Sequence, residues 1–353
     1  MSDVTRQVCA WLTDPRPEGE PSEAVMAAAR GEGVHLVIAD RCRVPGFAAE
    51  LRAAAVVEEI RARELRRVLA ALADAGVEAV LLKGVALART IYPRPELRLR
   101  SDTDLMVPAA ARGSVSRVLP PLQYRQADEV DGEFAVGQFH FLKVDDHGID
   151  HALDVHWRVS NVRVFADALS YDELRRAARS IPELGPHAWG PSPEHALLLA
   201  CVHRVAHHDD SRYLLWLLDV HLLAQRLTAH QQTAFARLAK ERQMRAVCAG
   251  TLDLSQEAFG ALDRGWLDEL SASGDGREPS RAFIGGGLRP AEILLTDVAA
   301  TEAWSERLRL LREHLFPRLS YIRARYPRWP AVLLPAAYVH RVVRGLPRWL
   351  RRG

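Results

Sequence analysis

Residues 81–108 read LLKGVALARTIYPRPELRLRSDTDLMVP, and two short pieces of this stretch decide what kind of domain the chain builds. Val80, Leu81 and Leu82 form a brief apolar run with β-branched character, closed by Lys83-Gly84. The pattern predicts a short strand and then a turn in which a small residue lets backbone N–H groups come close to a phosphate. Downstream, Ser101 to Val107 predicts a second short strand. Its period of two puts Asp102 and Asp104 on one face and sends Thr103 and Leu105 to the other. Two carboxylates side by side make a hard-oxygen site suited to Mg²⁺ that substrate phosphates also coordinate. The connection between the two strands is short and helical in character.

A third strand is predicted over Gly148 to Ser160. Alternation places Asp150, Ala152, Asp154 and His156 on one face, while Ile149, Leu153, Val155 and Trp157 cover the rest. An isolated Asp-x-His reads more readily as a solvated edge strand than as a site. The upstream Lys-Gly turn and Asp-x-Asp pair reverse that preference.

These residues together resemble the polymerase-beta-type nucleotidyltransferase superfamily. More narrowly they resemble the bacterial "uncharacterised nucleotidyltransferase" family, whose core reads L-K-G-x-A-L, then Y-P, then an Arg shortly before D-x-D-L. The matching residues are Leu82, Lys83, Gly84, Ala86 and Leu87, then Tyr92-Pro93, Arg98 and Asp102-Thr103-Asp104-Leu105. Most superfamily members carry Gly-Ser at the turn, and the Lys-Gly found here is shared with the narrower family. The family's L-D-x-H-W signature maps onto Leu153, Asp154, His156 and Trp157. The resemblance implies transfer of a nucleoside monophosphate from a nucleoside triphosphate (NTP) to an acceptor, with release of pyrophosphate and two Mg²⁺ or Mn²⁺ ions as cofactors.

On this expectation Asp102 and Asp104 hold Mg²⁺ against the triphosphate, while Lys83 and the Gly84 amide steady its phosphates. Asp154 completes the metal nearer the acceptor and accepts its proton, with His156 as its neighbour in the cleft. Arg98 is placed to meet charge on the leaving group, and Arg100 can substitute. A salt bridge to an acidic residue is the alternative for Arg98. The acceptor stays open among a small molecule, a peptide or protein, and a tRNA end, and the nucleobase is equally open. A non-catalytic nucleotide-binding module is a second reading.

The chain has 353 residues, 48% of them hydrophobic and 26% charged, with a formal net charge of +2. That is ordinary for a soluble globular protein of two or three domains. Cys9, Cys42, Cys201 and Cys248 are scattered without a C-x-x-C spacing, which argues against disulfide scaffolding and cysteine zinc sites. No apolar run reaches signal-peptide or membrane-span length, so a cytoplasmic protein without integral membrane association is expected. The expected class is α+β: a small mixed-sheet core at 76–165, N-terminal helices at 1–75, and a larger helical domain at 190–353. A Pro/Gly/Glu-rich loop covers Asp14 to Pro21, and Gly76 is the expected cap of a helix carrying Val57, Ile60, Leu65, Val68, Leu69 and Leu72. A helix over Ala109 to Leu119 and a pairing segment over Phe134 to Val144 complete the core. Ser192 with Pro193 reads as an N-cap, and Ser271 to Gly287 interrupts the helical domain.

A second cluster lies at 201–223, CVHRVAHHDDSRYLLWLLDVHLL. His203 and His207 share a helix face, and His208-Asp209 is a dyad of the kind used by metal phosphohydrolases, so an HD-like hydrolase is the rival reading. The family resemblance instead implies an H-x(n)-R-x-L-x-W-x-x-D pattern, met by His203, Arg212, Leu215, Trp216 and Asp219, which line the cleft or pin helices together. Finally, Arg307 to Gly353 holds twelve arginines against Glu313, interleaved with Tyr321, Tyr326, Trp329, Tyr338 and Trp349. Such a surface suits a nucleobase, a tRNA end or an acidic lipid layer. A solvated tail with its aromatics packed inward is the plainer alternative.

Overall fold

The computed structural model describes residues 2–14, 19–127, 136–272, 278–301, 303–317 and 319–350. Four helices open the chain: α1 (Asp3–Thr13), α2 (Glu23–Gly31), α3 (His35–Cys42) and α4 (Ala48–Asp74). The Ser2 and Ser22 hydroxyls start α1 and α2 by accepting the N–H groups of Thr5 and Val25. Helix α4 stops at Gly76, whose φ of +74° is left-handed. Gly76 N–H reaches the Ala73 carbonyl and Val77 N–H the Leu72 carbonyl, the paired closure that a glycine just past a helix permits.

Among the described residues one sheet holds seven strands in the order β3-β4-β5-β2-β1-β7-β6. They are β1 (Val80–Leu82), β2 (Thr103–Met106), β3 (Arg125–Gln126), β4 (Gln138–Val144), β5 (Asp150–His156), β6 (Arg179–Ser180) and β7 (Trp189–Gly190). β2 runs antiparallel to β1 and parallel to β5, so the sheet is mixed and the class is α+β, as expected. Helix α5 (Lys83–Thr90) links β1 to β2, and α6 (Arg112–Val118) follows a 3₁₀ turn at Ala109–Ala111. β4 begins at Gln138; Phe134 and Ala135, at the start of the anticipated pairing segment, lie outside the described residues. β6 and β7 went unanticipated, because two residues are too few to show alternation.

The sheet is apolar on both faces. Leu81, Leu105, Leu153, Val155 and Phe141 join Leu65, Leu69 and Leu72 of α4 in one core. Val80, Leu82 and Met106 join a second core built largely from the later helices. Those helices are α7 (Arg163–Ala166), α8 (Tyr171–Arg176), α9 (Pro193–Ala206), α10 (Leu214–Arg226), α11 (Ala229–Glu241), α12 (Arg245–Phe259) and α13 (Arg264–Ala272). Beyond them come α14 (Pro290–Ala300), α15 (Trp304–Leu315), α16 (Leu319–Arg325) and α17 (Leu334–Leu350). Ser192 stands at the start of α9 with Pro193 after it, but its hydroxyl makes no capping bond. Val8 and Leu12 of α1 share the second core with α9 to α12, so the first helices pack on the helical region.

Of the anticipated loops, residues 15–18 and 273–277 lie outside the described residues. The four cysteines are free thiols. Among the described residues no helix is long and apolar enough to cross a membrane.

Candidate active site

Strand register brings the site together. Leu82, Asp104, Asp154 and His140 stand opposite one another across β1, β2, β5 and β4. Period-two alternation along β2 and β5 turns Asp104 and Asp154 toward the helical region while Leu105, Leu153 and Val155 face α4. Asp102, in the turn before β2, lines the same cavity of about 540 Å³ as Asp104 and Asp154. Lys83, Gly84, His203 of α9 and His207 just past its end line it too.

Lys83 takes a left-handed φ of +47°, a conformation that costs a residue with a Cβ about 1–2 kcal/mol. This backbone turns its ammonium into the site, where Nζ donates to Asp104 Oδ1 at 2.8 Å. Such strain is found where the surrounding structure overrides it, commonly at functional sites. Space at Gly84 is tight: a Cβ there would lie 3.3 Å from Arg98 Nη1. His156 is buried and its Nε2 donates to the same Asp104 oxygen at 2.8 Å. His140 Nδ1 donates to Asp154 Oδ1 at 2.6 Å.

The two carboxyls of the Asp-x-Asp pair are driven in opposite directions. Burial opposes ionisation of Asp104, but the Lys83 ammonium and the His156 hydrogen bond outweigh it and hold its pKa well below the usual carboxylate range. Burial, then the charges of Asp104 and Asp154, push the Asp102 pKa up, with Lys83 and Arg98 only partly offsetting them. Asp104, Asp154 and His156 each offer a ligand atom within 4.8 Å of the others, an arrangement that could hold a metal ion. Asp102 adds a further carboxylate to the same cavity, and the carboxylate oxygens with the His156 imidazole are donors that fit a divalent cation.

The arginines expected to meet phosphate, Arg98 and Arg100, line the cavity, and each is paired with a buried acidic residue. Arg98 is buried and grips Asp219 of α10, with Nη2 to Oδ2 at 2.6 Å and Nε 3.2 Å from both oxygens. Tyr92 donates its hydroxyl to Asp219 Oδ1 at 2.8 Å. The salt-bridge alternative for Arg98 is therefore the arrangement present, and Asp219 pins helix α10 to the sheet core. Arg100 pairs with Glu58 of α4 at 3.0 Å and donates to the Asp102 carbonyl at 3.0 Å. Glu58 also holds Arg89 at 2.9 Å, and Arg61 donates to the Arg100 carbonyl at 2.6 Å. The loop that delivers Asp102 is thus clamped from α4 on one side and α10 on the other.

Across the cavity, burial first and the Lys83 charge second depress the histidines, His207 to about 3 and His208 to about 4. His203 is lowered for the same reasons. All three are neutral at pH 7. His208 Nε2 lies 3.1 Å from His203 Nε2, and its ring stacks on Trp216 with centroids 3.7 Å apart. Two members of this second cluster lie apart. Asp209, at φ +52°, accepts the Gly287 N–H at 2.7 Å, so the His-Asp dyad needed by a hydrolase is split by a left-handed turn. Arg212 is exposed and pairs with Glu257 at the surface, which corrects its expected place in the cleft.

Two residues of the assembly, Glu58 and His140, went unnamed in the sequence reading, and Tyr92 was named without this role. Glu58 had a visible signal, since Glu58, Ala62, Leu65, Leu69 and Leu72 repeat at helical spacing and share the buried stripe of α4. His140 and the role of Tyr92 had none, because strand register and the packing of α10 bring their partners.

The pattern of the family described as uncharacterised nucleotidyltransferases matches residues 37–260, which spans α4, the whole sheet and α9 to α12. No curated protein matches the chain. With well over half its length matched, the chain belongs to this family, and nucleotidyl transfer is the class of chemistry that membership carries.

Proposed function

We propose that this member of the uncharacterised nucleotidyltransferase family transfers a nucleoside monophosphate from an NTP to an acceptor and releases pyrophosphate. The observation that carries the reading is the registered pair Asp104–Asp154 on parallel strands, with Asp102 crowded beside it and the Lys83 turn facing it. Asp102, Asp104 and Asp154 would hold two divalent cations, which when bound supply charge neutralisation of the triphosphate and activation of the attacking oxygen.

The chain's own groups do the rest by position and charge. Lys83 brings a cation to the mouth where the phosphates enter, and the Gly84 amide follows it at the start of α5. Asp154, with His140 on one oxygen, keeps a carboxylate oxygen for the acceptor's proton. Arg98 and Arg100, neutralised by Asp219 and Glu58, hold the walls in place. The neutral histidines His203, His207 and His208 leave the net charge of the cavity to the carboxylates and Lys83. The acceptor is left open, since superfamily membership alone does not choose one.

The test is incubation with each α-labelled and γ-labelled NTP and Mg²⁺ or Mn²⁺, with small-molecule, protein and RNA fractions supplied. The expected result is α-label in one fraction with pyrophosphate released, both lost in Asp104→Asn. Calorimetric NTP binding gives a readout independent of the acceptor. Neither transfer nor Mg²⁺-dependent NTP binding in the wild type would refute the proposal.

A further inference from the structure

Twelve of the fifteen large apolar side chains exposed on the described surface fall between Ile284 and Val343. The later part of this stretch is one-signed in charge: from His314 to Gly353 there are nine arginines and no Asp, Glu or Lys. Helix α17 shows how the two features combine. Leu334 and Ala337 pack inward on Ile322, while Val339 and Val343 stand 64% and 65% exposed, with Val342 beside them. Trp304 and Phe316 are exposed as well, whereas four other rings are half-buried. Tyr321, Tyr326, Trp329 and Tyr338 pack on the Ile322 cluster, and Tyr338 donates its hydroxyl to the Pro317 carbonyl at 2.8 Å. What this surface offers to its surroundings is apolar, mostly aliphatic, and cationic.

A cavity of about 660 Å³ opens between α15, α16 and α17, with Arg325, Arg341 and Arg344 in its wall and no acidic residue among its lining. Exposed Leu315 and Val342 line it as well. Arg341 spends one N–H on the His314 carbonyl, whereas no ion pair engages Arg325 or Arg344 among the described residues. This cavity lies outside the family-matched residues 37–260 and is lined by none of the residues of the carboxylate site.

We propose that the described residues between Trp304 and Gly345 form a docking surface for the anionic phospholipid face of a membrane. The arginine-walled cavity receives a headgroup phosphate, and Val339, Val342 and Val343 enter the acyl boundary. Exposed aliphatic groups gain by leaving water and arginines gain from a negative surface, and an anionic lipid layer is the partner that satisfies both at once. A nucleic acid would answer the arginines and the rings of Tyr321, Tyr326 and Trp329 in the cavity wall, but it would leave the exposed Val339, Val342 and Val343 in water. The absence of a spanning helix among the described residues makes this attachment to the surface of the layer.

Flotation of the full chain with vesicles of equimolar phosphatidylglycerol and phosphatidylcholine, against phosphatidylcholine alone, tests the proposal. Binding is expected only to the anionic vesicles and should weaken as salt is raised. Arg325→Ala with Arg344→Ala should lower partitioning about thirty-fold. Val339→Asp with Val343→Asp should remove it, while circular dichroism and melting stay as in the wild type, since these side chains project into solvent. No flotation with anionic vesicles, or flotation that survives both pairs of substitutions, overturns the proposal. Salt-sensitive binding of a short single-stranded RNA without vesicle binding would also overturn it, by assigning the surface to nucleic acid.

Discussion

Replacing Asp219 with Ala should destabilise the protein severely and without touching a carboxylate of the cavity. Arg98 and Asp219 are 7% and 3% exposed, and the guanidinium directs Nε and Nη2 at the carboxylate while Tyr92 adds a further bond. The substitution leaves a buried guanidinium with no counter-charge and a buried phenol with no acceptor. Removing one partner of such a pair costs about 3–5 kcal/mol. With an unfolding entropy of about 2.1 cal/mol/K per residue, the 353 residues give about 0.74 kcal/mol/K, so Tm should fall by about 4–7 °C. The assay is thermal and urea unfolding of Asp219→Ala, Arg98→Met and the double variant Arg98→Met/Asp219→Leu. The double variant should recover most of the loss, because it buries no unpaired charge. A loss below about 1 kcal/mol in Asp219→Ala would mean that water reaches the pair, and the account of Arg98 as a buried strut would fall. Arg98→Lys that keeps Tm and loses NTP affinity would instead restore Arg98 as a phosphate contact.

Three further outcomes follow from the site. Asp102→Asn in metal-free buffer should raise Tm, with the sign set by linkage: a folded carboxyl held above its unfolded pKa loses stability as pH rises from about 4. The gap between variant and wild type should therefore open upward from that pH, and equal melting at pH 7 would mean that the crowding of carboxylates costs nothing. Asp154→Ala should cut turnover more than Mg²⁺-NTP affinity measured by calorimetry, and an equal collapse of affinity in Asp154→Ala and Asp102→Ala would show that the labour between them is divided differently. Metal analysis of protein purified without chelator should give no stoichiometric zinc or iron at His203, His207 and His208; one equivalent, lost in His208→Ala, would revive the hydrolase reading despite the displaced Asp209.

The amino-acid sequence determined the local pieces of this protein. Alternation put Asp104 and Asp154 on faces opposite to Leu105, Leu153 and Val155, because successive side chains of a strand point to opposite sides whatever else the chain does. A glycine after Leu72-Ala73-Asp74-Ala75 stopped α4, because it takes a left-handed conformation without a Cβ clash. The turn at Lys83-Gly84 and the spacing of Asp102 and Asp104 were equally legible, and with them the family. Tertiary structure decided which of these residues meet one another. Arg98 finds Asp219 from a helix 121 residues away, Asp154 finds His140 through a strand register, and Glu58 lies on the stripe of α4 that meets Arg89 and Arg100. Asp209 is led away from its neighbour His208 by a left-handed backbone that no spacing rule announces. A side chain's face follows from its own few neighbours in sequence, but the partner of a buried charge is whatever opposite charge the packing of distant elements brings within reach.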